Sequence, residues 1–416
     1  MLVSHSYTFP VSEIRKQFPA LRRIYNGKLA VYLDGPGGSQ VVDTSIQAIS
    51  NYMSSGSANL HGQFPTSRET EELIREAKEA IADMFGAKSK EVAFGANATS
   101  LEFSISRALG RNWRKGDEIV LCESDHRANV DPWLAIAKEK GMIVNWLKVN
   151  KDTLTLDFTT LGSIITDKTR LIAIGLASNA VGTINEVQIV SSRARAVNAI
   201  VVVDAVHAAP HFSINRDELG ADILLCSAYK FFGPHIGIAV IKENLFRSLN
   251  SYKLEPAPSY IPDKLETGTQ SHEGIAGIKP AIEFIASLGT GETRREKIIS
   301  GFKKIEDYEN RLASKIRKRL SKLERVTLYQ APEWAGKTPT IAFTIDGMSS
   351  KEVCRIMSEE YSIFAGDGHF YATTLAEKLN VNKTEGWIRV GIAPYNSEEE
   401  VDLFINAVRT LVSQLQ

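Results

Sequence analysis

Seven short apolar runs, spaced by helical segments, are the feature that most limits the folds open to this chain. They lie at 91–94, 118–122, 143–147, 171–177, 200–204, 223–226 and 236–241. Several are apolar at successive positions, so both faces of the strands they form must be covered. That is how a mostly parallel sheet with helices on each side reads. A helical segment at 70–85, with apolar residues at helical period, opens the alternation. The predicted class is therefore α/β. Open sheets of this kind bind ligands beyond the carboxyl ends of their strands. Polar and reactive residues fall at those ends here, so one shared site is expected there.

A proline-rich stretch at 252–263 reads as an extended surface connection, and a second unit follows it. Helical stretches at 282–288 and 303–323 lead to strands at 340–346 and 387–392 and a closing helix at 398–415. The expected division is a large domain at 26–285 and a smaller α+β domain made of 1–25 and 286–416. Lysine plus arginine and aspartate plus glutamate balance at 49 each, without a basic block interleaved with aromatics, so the chain carries no footprint for nucleic acid. Residues 1–10 lack a cationic start and an apolar core, and no apolar run has membrane-spanning length. The default compartment is the cytoplasm. Cys122, Cys226 and Cys354 form no CxxC pair, which gives neither a disulfide framework nor a metal-ligand spacing.

Lys230 is the residue with the most chemical potential, because an apolar strand delivers it into the turn Ser227-Ala-Tyr-Lys-Phe-Phe-Gly-Pro234. A lysine in a dry, partly cationic pocket loses its proton and attacks carbonyls, such as the aldehyde of pyridoxal phosphate; most lysines after strands are solvated instead. Gly95-Ala-Asn-Ala-Thr-Ser100 follows a strand and opens a helix, as a phosphate site or an ordinary N-cap would. Asp204 ends the most apolar strand, placed to accept from a protonated pyridine nitrogen or to cap a helix. His126 offers a flat ring for stacking, an acid/base group, or a structural contact.

Taken in order, six motifs resemble the class V aminotransferase branch of fold-type I pyridoxal-phosphate enzymes, and within it the cysteine desulfurase-like proteins. They are Tyr32-Leu-Asp-Gly-Pro-Gly-Gly38, Glu123-Ser-Asp-His-Arg-Ala-Asn-Val-Asp-Pro-Trp133, Ser178-Asn-Ala-Val-Gly-Thr-Ile-Asn185, Val203-Asp-Ala-Val-His207, the Lys230 turn and Arg389-Val-Gly-Ile-Ala-Pro-Tyr-Asn396. The resemblance spans nearly the whole chain and implies that family's fold. It also implies that Lys230 forms the internal aldimine, that Asp204 pairs with the ring nitrogen, that His126 stacks on the ring and that Asn179 sits near the ring hydroxyl. His207 takes the place beside the aldimine. Ser227 and Tyr229, with Ala96, Asn97, Ala98 and Thr99, take the phosphate region. Thr269 matches a threonine that reaches the phosphate of the neighbouring subunit, which implies a homodimer with shared sites. Arg389 matches the arginine that grips a substrate α-carboxylate, and His61 falls in an Asn-x-His segment near the substrate.

One departure is specific. Where such desulfurases carry Arg-x-Gly-His-x-Cys-Ala, this chain has Gly366-Asp-Gly-His-Phe-Tyr-Ala372, so Tyr371 replaces the thiol that accepts sulfur. His369 and Asp367 remain as polar groups for a substrate or leaving group, and Cys354 lies upstream on an expected helix at 350–361. The leading expectation is a β-lyase that cleaves a C–S bond of an amino acid without a persulfide relay. The alternatives are an aminotransferase or epimerase, and, from another class, a non-catalytic pyridoxal-phosphate-binding protein. The absence of GxGxxG after the first strand and of GxxxxGK[ST] argues against a nucleotide-binding fold.

Overall fold

The structure, a computed structural model, describes residues 9–415; the expectation drawn from the extreme N-terminus falls mostly outside them. All seven apolar runs become strands of one sheet: β1 (Val92–Gly95), β2 (Glu118–Cys122), β3 (Ile143–Leu147), β4 (Thr169–Gly175), β5 (Ile200–Asp204), β6 (Ile223–Ser227) and β7 (Gly237–Ile241). Their spatial order is β1-β7-β6-β5-β4-β2-β3. Strands β2 to β6 run parallel, while β7 is antiparallel to both β6 and β1.

Successive residues of these strands enter different cores, as the both-faces reading requires. On one face Val120, Ile172, Ile174, Val201, Val203 and Leu224 join the largest apolar cluster. On the other, Ile119, Leu121, Leu171, Ala173, Val202 and Ile223 join a separate one. Helices α2 (Pro65–Phe85), α5 (Val187–Ala196) and α6 (Ile278–Ser287) lie on the first face, with α1 (Asp43–Ser55) packed against α6, and α3 (Ala98–Gly110) and α4 (Asp131–Lys140) lie on the second. Helix α2 starts at Pro65, whose missing N–H is harmless in a first turn, and ends where Gly86 adopts a left-handed conformation at φ 64°.

A four-stranded antiparallel sheet forms the second unit, in the order β8 (Val326–Tyr329), β9 (Thr340–Ile345), β11 (Trp387–Gly391), β10 (Gly366–Gly368). Its own apolar cluster includes α8 (Ser350–Tyr361) and α9 (Glu398–Ser413). Packing crosses the expected division of the chain. Ile14, Phe18 and Leu21 join the main core, whereas Val31 and Leu33 join the second. Helix α7 (Arg294–Leu320) ties the two together, with Phe302 and Ile305 in the first core and Leu312 and Ile316 in the second. It begins earlier than periodicity indicates because Thr293 and Glu296 form a capping box. Among the described residues no helix is long and apolar enough to cross a membrane.

Candidate active site

The carboxyl ends of β2, β4, β5 and β6 open onto a cavity of about 350 Å³. Register explains the convergence: Gly175 at the end of β4 lies beside Asp204 at the end of β5, and Asp204 pairs with Leu225 of β6. The turns that follow carry His126, Asn179, His207 and Lys230 to the cavity wall, joined by Asn97, Ala98, Thr99, Ser227 and Tyr229. The second unit adds Phe370, Tyr371 and Arg389.

Lys230 is 9% exposed and donates to the carbonyl oxygens of Pro36 (2.5 Å) and Gly37 (3.0 Å). Burial, helped by the field of Arg389, pushes its ammonium down to about 7. Asp204 accepts from the Val206 N–H at 2.8 Å, and burial pushes its carboxyl up to about 6, against the pull of that hydrogen bond and of Lys230. His126 accepts from the Ala128 N–H through Nδ1 at 3.0 Å, and burial pushes it down to about 4, so it is a neutral ring at neutral pH. His207 is held by the hydroxyls of Thr338 (3.2 Å) and Thr340 (3.1 Å) and is likewise kept neutral by burial.

Arg389 donates through Nη1 to the Asn179 carbonyl at 2.7 Å, and burial brings it down to about 9. No carboxylate among the described residues lies within ion-pair distance of it. Asn179 donates through Nδ2 to the Phe370 carbonyl at 2.7 Å, while its Oδ1 is buried without a partner. Tyr229 stacks on His235 with ring centroids 4.6 Å apart. Asn97 caps α3 by accepting from the Ser100 N–H at 2.9 Å, which turns the positive end of that helix toward the cavity.

Not every expected residue arrives. Ala96 faces a separate cleft of about 300 Å³, which it shares with Thr269, so the pair is removed from the cavity of its own chain. His61 is exposed, beside Glu71, with Nδ1 to Oε1 3.2 Å, and does not line the cavity. His369 is exposed too and acts on the turn instead, where its Nδ1 accepts from the Tyr371 N–H at 3.1 Å. Tyr371 does line the cavity, is 65% exposed and places its ring 5.4 Å from that of His126.

Several lining residues were not expected. Pro36 and Gly37 belong to a motif that drew notice only for its resemblance, and their carbonyl oxygens turn out to receive the lysine. Glu102 and Asp125, both buried, line the cavity with the half-buried Asp204. Glu102 accepts from Trp133 Nε1 at 3.0 Å, and burial beside Asp204 raises it well above the carboxylate range. Asp125 accepts from Asn129 Nδ2 (2.7 Å) and the Gly175 N–H (2.8 Å), yet burial still pushes it up to about 8. The spacing of Glu102 on α3, one turn beyond the cap, was the available signal.

These residues fit pyridoxal phosphate. A helix N-terminus with neighbouring hydroxyls suits its phosphate, Asp204 its ring nitrogen, the orphaned Oδ1 of Asn179 its ring hydroxyl, and the depressed Lys230 its aldehyde. None of the three cysteines lines the cavity, and all are buried. Burial pushes Cys354 up to about 12.

Comparison with known proteins agrees with this geometry. The family described as Aminotransferase class-V matches residues 31–404. The chain is 30% identical to an aminotransferase-like protein of Gibberella zeae, covering 98% of this chain and 100% of the relative. It is also 30% identical to a probable cysteine desulfurase of Halalkalibacterium halodurans, covering 94% and 95%. Among solved structures, a cysteine desulfurase from Thermococcus onnurineus NA1 superposes with a TM-score of 0.87 at 26% identity, covering 98% of this chain and 99% of that one.

Proposed function

The chain belongs to the aminotransferase class-V family, a pyridoxal-phosphate-dependent enzyme of the lyase or transferase kind, and from that premise we propose that it cleaves a C–S bond of an amino acid by β-elimination, with no thiol of its own taking the sulfur. The observation that carries this reading is Tyr371 at the cavity wall, in the position where the desulfurase-like pattern places its cysteine, with Cys122, Cys226 and Cys354 all buried elsewhere.

When bound, pyridoxal phosphate supplies an aldehyde carbon that condenses with amines and a conjugated ring that takes up the electron pair left when a bond to Cα breaks. Asn97, Ala98, Thr99, Ser227 and Tyr229 would hold its phosphate, Asp204 its ring nitrogen, Asn179 its ring hydroxyl, and His126 and His207 would flank it. Arg389 grips the substrate α-carboxylate with the part of its fork that Asn179 leaves free. Lys230, brought down to about 7, both loses and regains a proton near neutrality, so its Nζ takes the Cα proton and returns one. The C–S bond then breaks with its electron pair on sulfur, and the released three-carbon enamine hydrolyses to pyruvate and ammonia. The second unit would close the site, and a homodimer would complete it through Thr269. The proposed division remains a large domain at 26–285 and a small domain made of 1–25 and 286–416.

A second reading, transamination, is favoured by the full-length match to an aminotransferase-like protein. The test incubates the pyridoxal-phosphate-bound protein with L-amino acids, including cysteine, cystine and cysteine sulfinate, with and without an α-keto acid, and identifies products by mass spectrometry. Pyruvate with ammonia is expected from a sulfur-bearing amino acid. A new amino acid made from the keto acid, without pyruvate, overturns elimination in favour of transamination.

A further inference from the structure

We propose that Phe370 is a positioning residue for Arg389, its ring holding the guanidinium flat so that the free edge meets the substrate carboxylate. The inference rests on the reading of Arg389 as the carboxylate anchor. The guanidinium carbon lies 3.6 Å from the centre of the Phe370 ring, which is face-on contact. Arg389 is 6% exposed, and no carboxylate among the described residues pairs with it. Its charge is therefore met by the ring face and by the Asn179 carbonyl at 2.7 Å, with the field of Asp34 behind. A planar guanidinium suits such a surface as a lysine ammonium would not.

Phe370 is itself held. Its backbone is left-handed at φ 51°, as is that of Tyr371 at φ 57°, and hydrogen bonds from other segments support the turn: Asn179 Nδ2 donates to the Phe370 carbonyl at 2.7 Å, and the Arg127 N–H to the Tyr371 carbonyl at 2.9 Å. Asn179 thus touches both partners, closing a ring of Phe370, Asn179 and Arg389. Gly366 supplies the space. It pairs with Arg389 across β10 and β11, and a Cβ there would come within 3.1 Å of Phe370 Cε1. The glycine that departs from the desulfurase-like arginine is the one that admits the ring.

Amino-acid binding to the pyridoxal-phosphate-bound protein is followed by cofactor absorbance, alongside the matching amine that lacks the carboxylate. Calorimetry with a small monocarboxylate on the cofactor-free protein gives a readout without turnover. Phe370→Ala and Phe370→Leu are each expected to weaken amino-acid and monocarboxylate binding about 5- to 30-fold, leaving the amine unaffected and kcat less changed than KM. Phe370→Tyr restores binding, and Gly366→Ala gives a smaller loss as the ring is pushed aside. Equal weakening of amino acid and amine, or full binding by Phe370→Leu, overturns the proposal. Arg389→Met separates the two levels. If it spares carboxylate selectivity, the anchoring reading itself fails; if it removes selectivity while Phe370→Ala does not, only the role of Phe370 falls.

Discussion

Lys230 sits between two backbone carbonyls with no carboxylate in ion-pair reach among the described residues, so its proton is held loosely. In the cofactor-free protein an amine reagent should modify Lys230 with a rate that rises through about pH 7, far below ordinary lysines, because only the neutral amine attacks. The neighbours set the sign of the shifts. Arg389→Met should raise that midpoint and Asp204→Asn should lower it, as mass-resolved labelling across pH would read; no shift in either would remove the electrostatic cause. Asp125 makes a complementary case. Its folded carboxyl is raised above its unfolded value, so its contribution to stability is present below the unfolded pKa and is lost as pH rises through about 8. Asn129 Nδ2 and the Gly175 N–H both donate to Oδ2 of Asp125, a role the asparagine oxygen keeps, and the Ser124 hydroxyl, which donates to Oδ1 at 3.3 Å, need only turn to accept from the asparagine amide. Asp125→Asn should therefore unfold at the same denaturant midpoint as the parent near pH 4 and at a higher one near pH 8, and a parallel pH dependence would refute this.

At the scale of elements, the cavity depends on how closely β7 passes the turn that opens α3. Gly237 begins β7, and a Cβ there would lie 2.2 Å from the carbonyl carbon of Asn97, a backbone atom with no rotamer to yield. Gly237→Ala should therefore cost about 1–3 kcal/mol in denaturant unfolding and weaken pyridoxal-phosphate binding, since the Asn97-Ala-Thr99 turn must move. An unchanged midpoint with unchanged cofactor affinity would show that the approach is looser than it looks. The same junction shows what was legible. Strands apolar on both faces announced themselves, and Asp204, Lys230 and Asn179 follow them directly, so the sheet-borne half of the site could be read from local pattern. Pro36, Gly37 and Phe370 could not, because the hydrogen bonds that bring them in span separations such as 194 and 191 residues and follow from tertiary packing. Ala96 is next to the cap, but it lines the other cleft.

For the whole molecule, that other cleft carries the remaining consequence. Thr267, Thr269 and Gln270 line it and not their own chain's cavity, as residues proposed to serve a neighbouring copy would. The proposed homodimer then makes each site a product of two chains, with Lys230 from one and Thr269 from the other. Symmetric exchange of this kind can be tested by complementation. Lys230→Ala removes the proton-transferring amine from a site, and Thr269→Val removes the hydroxyl lent to its neighbour. Each variant alone should lose most turnover or cofactor affinity. Co-refolded in equal amounts, the two should assort at random, and the mixed dimers would hold one intact site each, about one quarter of all sites. Recovery near that level, together with a dimer in sedimentation analysis, is the expected outcome. Mixtures no more active than the separate variants would place Thr269 outside any shared site, and a monomeric active enzyme would show that the cavity of one chain is complete in itself.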